Sequence, residues 1–77
     1  MTKEEKMRVI KAHRNTMVLM FRELGYCCKM IENLNIVFYG GSPTQKQFDD
    51  VNYAAFLMVR DKERKQGNEI EILDLVG

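Results

Sequence analysis

His13, the adjacent Cys27 and Cys28, and the run from Gly40 to Lys46 are the stretches whose residue types could do chemistry. His13 is the only histidine. An imidazole acts as a general base near neutral pH, but no Ser, Cys or Asp is placed beside it by spacing. It falls on the apolar side of a predicted helix and reads as a hydrogen-bonded histidine at the edge of a core. Zinc sites want pairs separated by two to four residues, and about four ligands in all. Neighbouring cysteines meet neither condition, so both read as reduced packing residues, as expected inside a cell. Gly40-Gly41-Ser42 lies between a predicted strand and a predicted helix N-terminus, where free N–H groups and the helix dipole attract anions. Gly40, Gly41, Ser42, Thr44 and Lys46 are therefore candidate anion-binding residues. Pro43 removes one donor, and neither the P-loop nor the dinucleotide glycine pattern is present. The simpler reading is a turn that ends a strand and caps a helix. No catalytic set, metal site or cofactor site is predicted.

Two further groups are candidates for binding. Arg8, Lys11, Arg14 and Arg22 give the first helix a basic side, with Arg8, Lys11 and Arg22 as candidate nucleic-acid contacts through phosphates. Glu4, Glu5 and Glu23 dilute that side, and no nucleic-acid-binding signature accompanies it. On the second helix, Tyr53, Leu57, Arg60 and Arg64 share one side away from the apolar stripe. Tyr and Arg are enriched in interface hot spots. These four, with Val37 and Tyr39 of a predicted strand, are the candidate partner-binding residues.

The elements that must position these groups are readable from periodicity and punctuation. Thr2 and Glu5 form a capping-box pattern that opens a helix running to Leu24, stopped by Gly25. Its inward stripe is Val9, Ile10, His13, Met17, Met20, Phe21 and Leu24; Met7, Val18 and Leu19 lie off it. Tyr26–Ile31 and Asn35–Tyr39 are apolar-rich runs around Glu32-Asn33-Leu34-Asn35, which predicts a hairpin with an Asn in the left-handed conformation. Ser42 as cap, Pro43 at the first position and Gln45 as the reciprocal partner predict the start of a second helix. Phe48, Val51, Ala54, Ala55, Met58 and Val59 form its stripe, and Gly67-Asn68 its stop. Glu69-Ile70-Glu71-Ile72 alternates strictly and continues to Val76, which predicts a half-exposed third strand. Paired parallel to the second strand, it would make the helix a right-handed crossover. The expected architecture is a small single α+β domain over residues 1–77, in the order α-β-β-α-β, with a three-stranded mixed sheet and two helices.

The order of strand, Gln-bearing helix and final strand resembles the tail of metal-dependent nucleases of the Asp…Glu-x-Lys type. Their defining Glu-x-Lys is missing from the second strand, so no catalytic role is carried over.

A net charge of +1 excludes a DNA mimic and a polybasic binder. A chain of 77 residues has a thin core, and oligomerisation is a common remedy. No apolar N-terminal run resembles a signal peptide, so a cytoplasmic location is expected. The expectation is a non-enzymatic interaction protein that binds a protein partner or forms a homodimer. In length and Met content the chain is like small phage or mobile-element accessory proteins that modulate a larger protein by occupying its surface.

Overall fold

Thr2 caps the first helix as its spacing predicts. Its hydroxyl accepts the Glu5 N–H at 3.1 Å and donates to the Glu5 carboxylate. The computed structural model describes residues 2–75. Helix α1 spans Lys3–Glu23, with Leu24 as C-cap and Gly25 at φ +97°, a conformation costly to any residue with a Cβ. Strands β1 (Cys27–Met30) and β2 (Ile36–Tyr39) form an antiparallel hairpin. Helix α2 spans Gln45–Lys65, and a 3₁₀ turn, Ile72–Leu75, follows. The chain is thus a small α+β domain with two helices and, among the described residues, one two-stranded antiparallel sheet.

The expected third strand is not formed, and side-chain parity explains why. Successive side chains of a strand point to opposite faces, so Ile70 and Leu75, five apart, cannot share a face in extended backbone. Both are buried in the same cluster, and only a wound segment allows this. The winding also satisfies its own backbone. The Glu71 N–H donates to the Asp74 carboxylate at 2.8 Å, and the Asp74 N–H donates to the Glu71 carbonyl at 2.9 Å. Val76, the expected end of the strand, lies outside the described residues.

The second helix starts later than Ser42 predicts. Thr44 is its cap, accepting the Gln47 N–H, while the Gln47 side chain accepts the Thr44 N–H in return. Two capping patterns overlap in Ser42-Pro43-Thr44-Gln45-Lys46-Gln47. The later one forms because the Gln47 side-chain oxygen also accepts the Tyr26 hydroxyl, at 2.6 Å, tying the helix start to the hairpin. The hairpin turn holds another departure. Leu34, not an Asn, takes the left-handed conformation, at φ +67°. A branched side chain is strained there, and packing of Leu34 against the buried cluster around Ile10 and Phe56 offsets the strain.

The helices run antiparallel, Arg8 meeting Glu63 at one end and Phe21 meeting Phe48 at the other. Their buried faces are rotated from the predicted stripes. On α2, Phe56 and Glu63 are buried while Met58 is half exposed; on α1, Val18 is buried under β1 and Leu24 is exposed. Two buried clusters result. Val9, Ile10, Phe56, Val59, Ile70 and Leu75 fill the tail end; Met17, Val18, Phe21, Cys28, Val51 and Ala55 fill the hairpin end. Among the described residues no helix is long and apolar enough to cross a membrane.

Candidate functional site

His13 lies between the two clusters and is fully buried. Its Nε2 faces the Asn52 carbonyl at 3.1 Å. A carbonyl only accepts, so Nε2 carries the proton. Nδ1 then accepts from the Arg14 guanidinium at 2.5 Å, and the same guanidinium donates to the Leu75 carbonyl at 2.7 Å. Burial holds the His13 pKa below the ordinary histidine value; the bond to Asn52 opposes this and the Arg14 charge reinforces it. A neutral imidazole used as a clamp between two helices and the tail has no lone pair left for a substrate. Cys28 is equally occupied. Its thiol donates to the Val18 carbonyl at 3.7 Å, and burial pushes its pKa up, away from the reactive thiolate. Cys27 is free and exposed. No group of three or more His, Cys, Asp or Glu that could hold a metal occurs among the described residues.

The candidate anion-binding residues Gly40, Gly41, Ser42, Thr44 and Lys46 lie on an exposed loop and the first turn of α2. The Thr44 hydroxyl and its backbone N–H are both engaged in the capping box. Of the candidate nucleic-acid contacts, Arg8 is bonded to the buried Glu63 carboxylate at 2.5 Å. Arg22 donates twice to the Cys28 carbonyl, at 3.1 and 2.9 Å, while Lys11 is exposed.

The candidate partner-binding residues divide into two surfaces. Tyr53 is exposed, with its ring 6.2 Å from Phe56; Arg64 is exposed too. Leu57 packs against the tail-end cluster, and the Arg60 guanidinium lies 5.7 Å above the Phe56 ring. Val37 and Tyr39 belong to the outer face of the hairpin. The register Cys28↔Phe38 and Met30↔Ile36 turns those four residues toward the helices, leaving Cys27, Lys29, Val37 and Tyr39 outward. There the Lys29 ammonium sits 5.6 Å from the centre of the Tyr39 ring.

The edge of β2 escaped sequence reasoning, because it exists only through the loss of the third strand. The Ile31 N–H donates to the Asn35 carbonyl at 2.9 Å. Ladder bonds alternate in an antiparallel pair, so Lys29–Val37 and Cys27–Tyr39 are also hydrogen-bonded pairs. The backbone groups of Ile36 and Phe38 consequently point away from β1, and none of them is paired among the described residues. Beside this edge runs a groove of about 530 Å³. Its apolar wall is Met17, Ile31, Ile36, Phe48 and Leu75, with Val37 bordering it at the strand edge; its polar groups are Arg14, Asn35 and Asn52. β1 lies against α1, while β2 stands off, and the groove fills the gap over α2.

Comparison of the chain with family models, with curated proteins and with solved structures gave no match.

Proposed function

We propose that this is a non-enzymatic interaction protein that binds another protein or a second copy of itself, acting in the cytoplasm by covering part of its partner. One observation carries the reading. A folded monomer of this mass exposes about 4,900 Å², whereas this chain exposes 5,424 Å² for 9.0 kDa, roughly a tenth more. The molecule is drawn out to 39 × 22 × 17 Å by its two 21-residue helices. Large apolar side chains remain outside, including Leu19, Leu24, Tyr39, Tyr53, Met58 and Leu73, each about half exposed or more. Such side chains support contact with a partner where they adjoin other interface-type residues, as Tyr53 adjoins Arg60 and Arg64 along α2. The Tyr53/Arg64 side of α2, with Leu57 and Arg60 at its border, and the outer hairpin face of Val37 and Tyr39 are the two surfaces best suited to a protein partner. Modulation of a larger protein, as by a phage or mobile-element accessory factor, is the mode of action that suits a chain whose His13 and Cys28 are internally engaged.

The test is sedimentation velocity across a hundredfold dilution, joined to affinity capture from the native host. Concentration-dependent association, or a captured protein lost on Tyr53→Ala or Tyr39→Ala, supports the reading. A strict monomer with no captured partner overturns it.

A further inference from the structure

We propose that the open edge of β2 takes an extended peptide segment of another protein as a third strand, one whose side chains are apolar with a carboxylate placed toward Arg14. The proposal rests on the protein-binding reading above and names the site and the partner's chemistry. Four observations converge on it. First, Ile36 and Phe38 present outward N–H and C=O groups with no partner among the described residues. An extended backbone satisfies such a row by β-augmentation. Second, the other edge of the hairpin is obstructed, since Arg22 already occupies the Cys28 carbonyl with two donors. Among the described residues one usable edge therefore remains.

Third, the groove beside β2 supplies apolar surface for the alternate side chains of an added strand, from Ile31, Ile36 and the half-buried Phe48. Main-chain bonds give affinity in this mode, and side-chain pockets give specificity. Fourth, Arg14 is the only charged residue among the described residues that line the groove. A guanidinium has five N–H donors, of which Arg14 spends one on His13 and one on Leu75. Its unspent donors and positive charge favour a carboxylate. The chain's own residues 69–72, which alternate acid and apolar, have this composition but wind away to the tail-end cluster instead.

The probes are two hexapeptides, acetyl-Val-Thr-Glu-Thr-Val-Thr-amide and acetyl-Val-Thr-Lys-Thr-Val-Thr-amide, whose alternate side chains set two Val and one Glu or Lys on a single face, titrated into the full ¹⁵N-labelled chain. The expected result is saturable shifts centred on Ile36 and Phe38 with the acidic peptide, and slowed exchange of those two amides. Binding should weaken about tenfold for the basic peptide, and about tenfold for the acidic peptide on Ile31→Glu, because like charge is then set against the groove. Ile31 lies at the rim and is 36% exposed, so this variant keeps its fold, which its circular dichroism checks. Absence of shifts up to millimolar acidic peptide, or shifts confined to the helices or the outer hairpin face, overturns the proposal. Protection of Ile36 and Phe38 by self-association without peptide also overturns it, in favour of a second copy. If a partner is captured from the host but leaves these two amides unprotected, the interaction reading stands and this site falls.

Discussion

The hairpin end and the tail end of the molecule are held by different physics. At the hairpin end, Phe21 sits at the centre of an aromatic group, 5.0 Å from Phe38, 5.7 Å from Phe48 and 6.2 Å from Tyr26. Edge-on contacts predominate, as the ring quadrupoles favour. At the tail end, aliphatic side chains meet around Phe56, and charged groups close the boundary: Arg14 holds the Leu75 carbonyl and Arg8 pairs with Glu63. The first region draws its stability from area and shape. The second depends also on protonation states and on two arginines. Changes of pH should therefore act on the tail before the hairpin.

The largest effect tests whether the ends are separable. Phe21→Ala removes a fully buried ring and should cost about 3–5 kcal/mol, against the 5–15 kcal/mol or so that typical domains possess. Urea denaturation should show a midpoint at much lower denaturant than the parent's, reaching zero denaturant if the parent lies at the low end of that range. Leu75→Ala should cost about 2–5 kcal/mol, but at the other end. If the ends are distinct, its hairpin amides keep their protection while α1 and α2 lose theirs near Val9 and Val59. Equal loss of protection everywhere would make the two clusters one cooperative unit.

Next in size is the ion pair. Glu63 is 3% exposed, whereas its partner Arg8 is half exposed. Removing the arginine leaves a carboxylate in an apolar setting without compensation, and removing both charges does not. Thermal melting of Arg8→Met should therefore fall well below that of the Arg8→Met/Glu63→Met double variant. A double variant that melts no higher than Arg8→Met would show that the pair contributes by packing alone.

The clamp at His13 gives the tail end a pH dependence of known sign. Its folded pKa lies below the ordinary value, chiefly through burial. The unfolded chain therefore takes up the proton first, near pH 6.5. The contribution of neutral His13 is complete above that point and declines as pH falls through it toward the folded value. Protonation at Nδ1 would also remove the acceptor of Arg14 and set two cations together. Unfolding free energy measured between about pH 7.5 and 5 should fall on acidification in the parent chain, and fall less in His13→Gln. Identical slopes would assign the dependence to other groups.

What was legible in the sequence follows the same division. Helix α1, its cap at Thr2, its stop at Gly25 and the hairpin strands follow from local signals, because each is decided by neighbours a few residues away. The third strand was misread because Glu69-Ile70-Glu71-Ile72 has the strand period, and nothing local reveals that Ile70 and Leu75 must enter one cluster. Leu34 was misread for a like reason: the Asn residues beside it are better left-handed formers, and a long-range contact overrides them. The clamp of His13 to Asn52, Arg14 and Leu75 joins residues up to 61 apart along the chain. Only the helix face of His13 was visible beforehand. The β2 edge could not be read at all, since it is open only when the third strand is lost.

The smallest effect concerns the choice between two caps at the start of α2. Ser42 and Thr44 each stand three residues before a glutamine, so local propensity alone barely separates them. The bond from Tyr26 to Gln47 does, and it couples the cap to the hairpin end. Thr44→Ala should lower stability by about 1 kcal/mol, as loss of a hydroxyl cap does, while Ser42→Ala should stay within about 0.5 kcal/mol of the parent. Tyr26→Phe in the Thr44→Ala background sharpens the reading. With both groups gone the earlier cap is released to form, and the protection of the Gln45 amide should rise as Ser42 begins to accept from it. If instead Ser42→Ala is the costlier change, the helix begins at Pro43, and the hairpin end has no polar tie to α2.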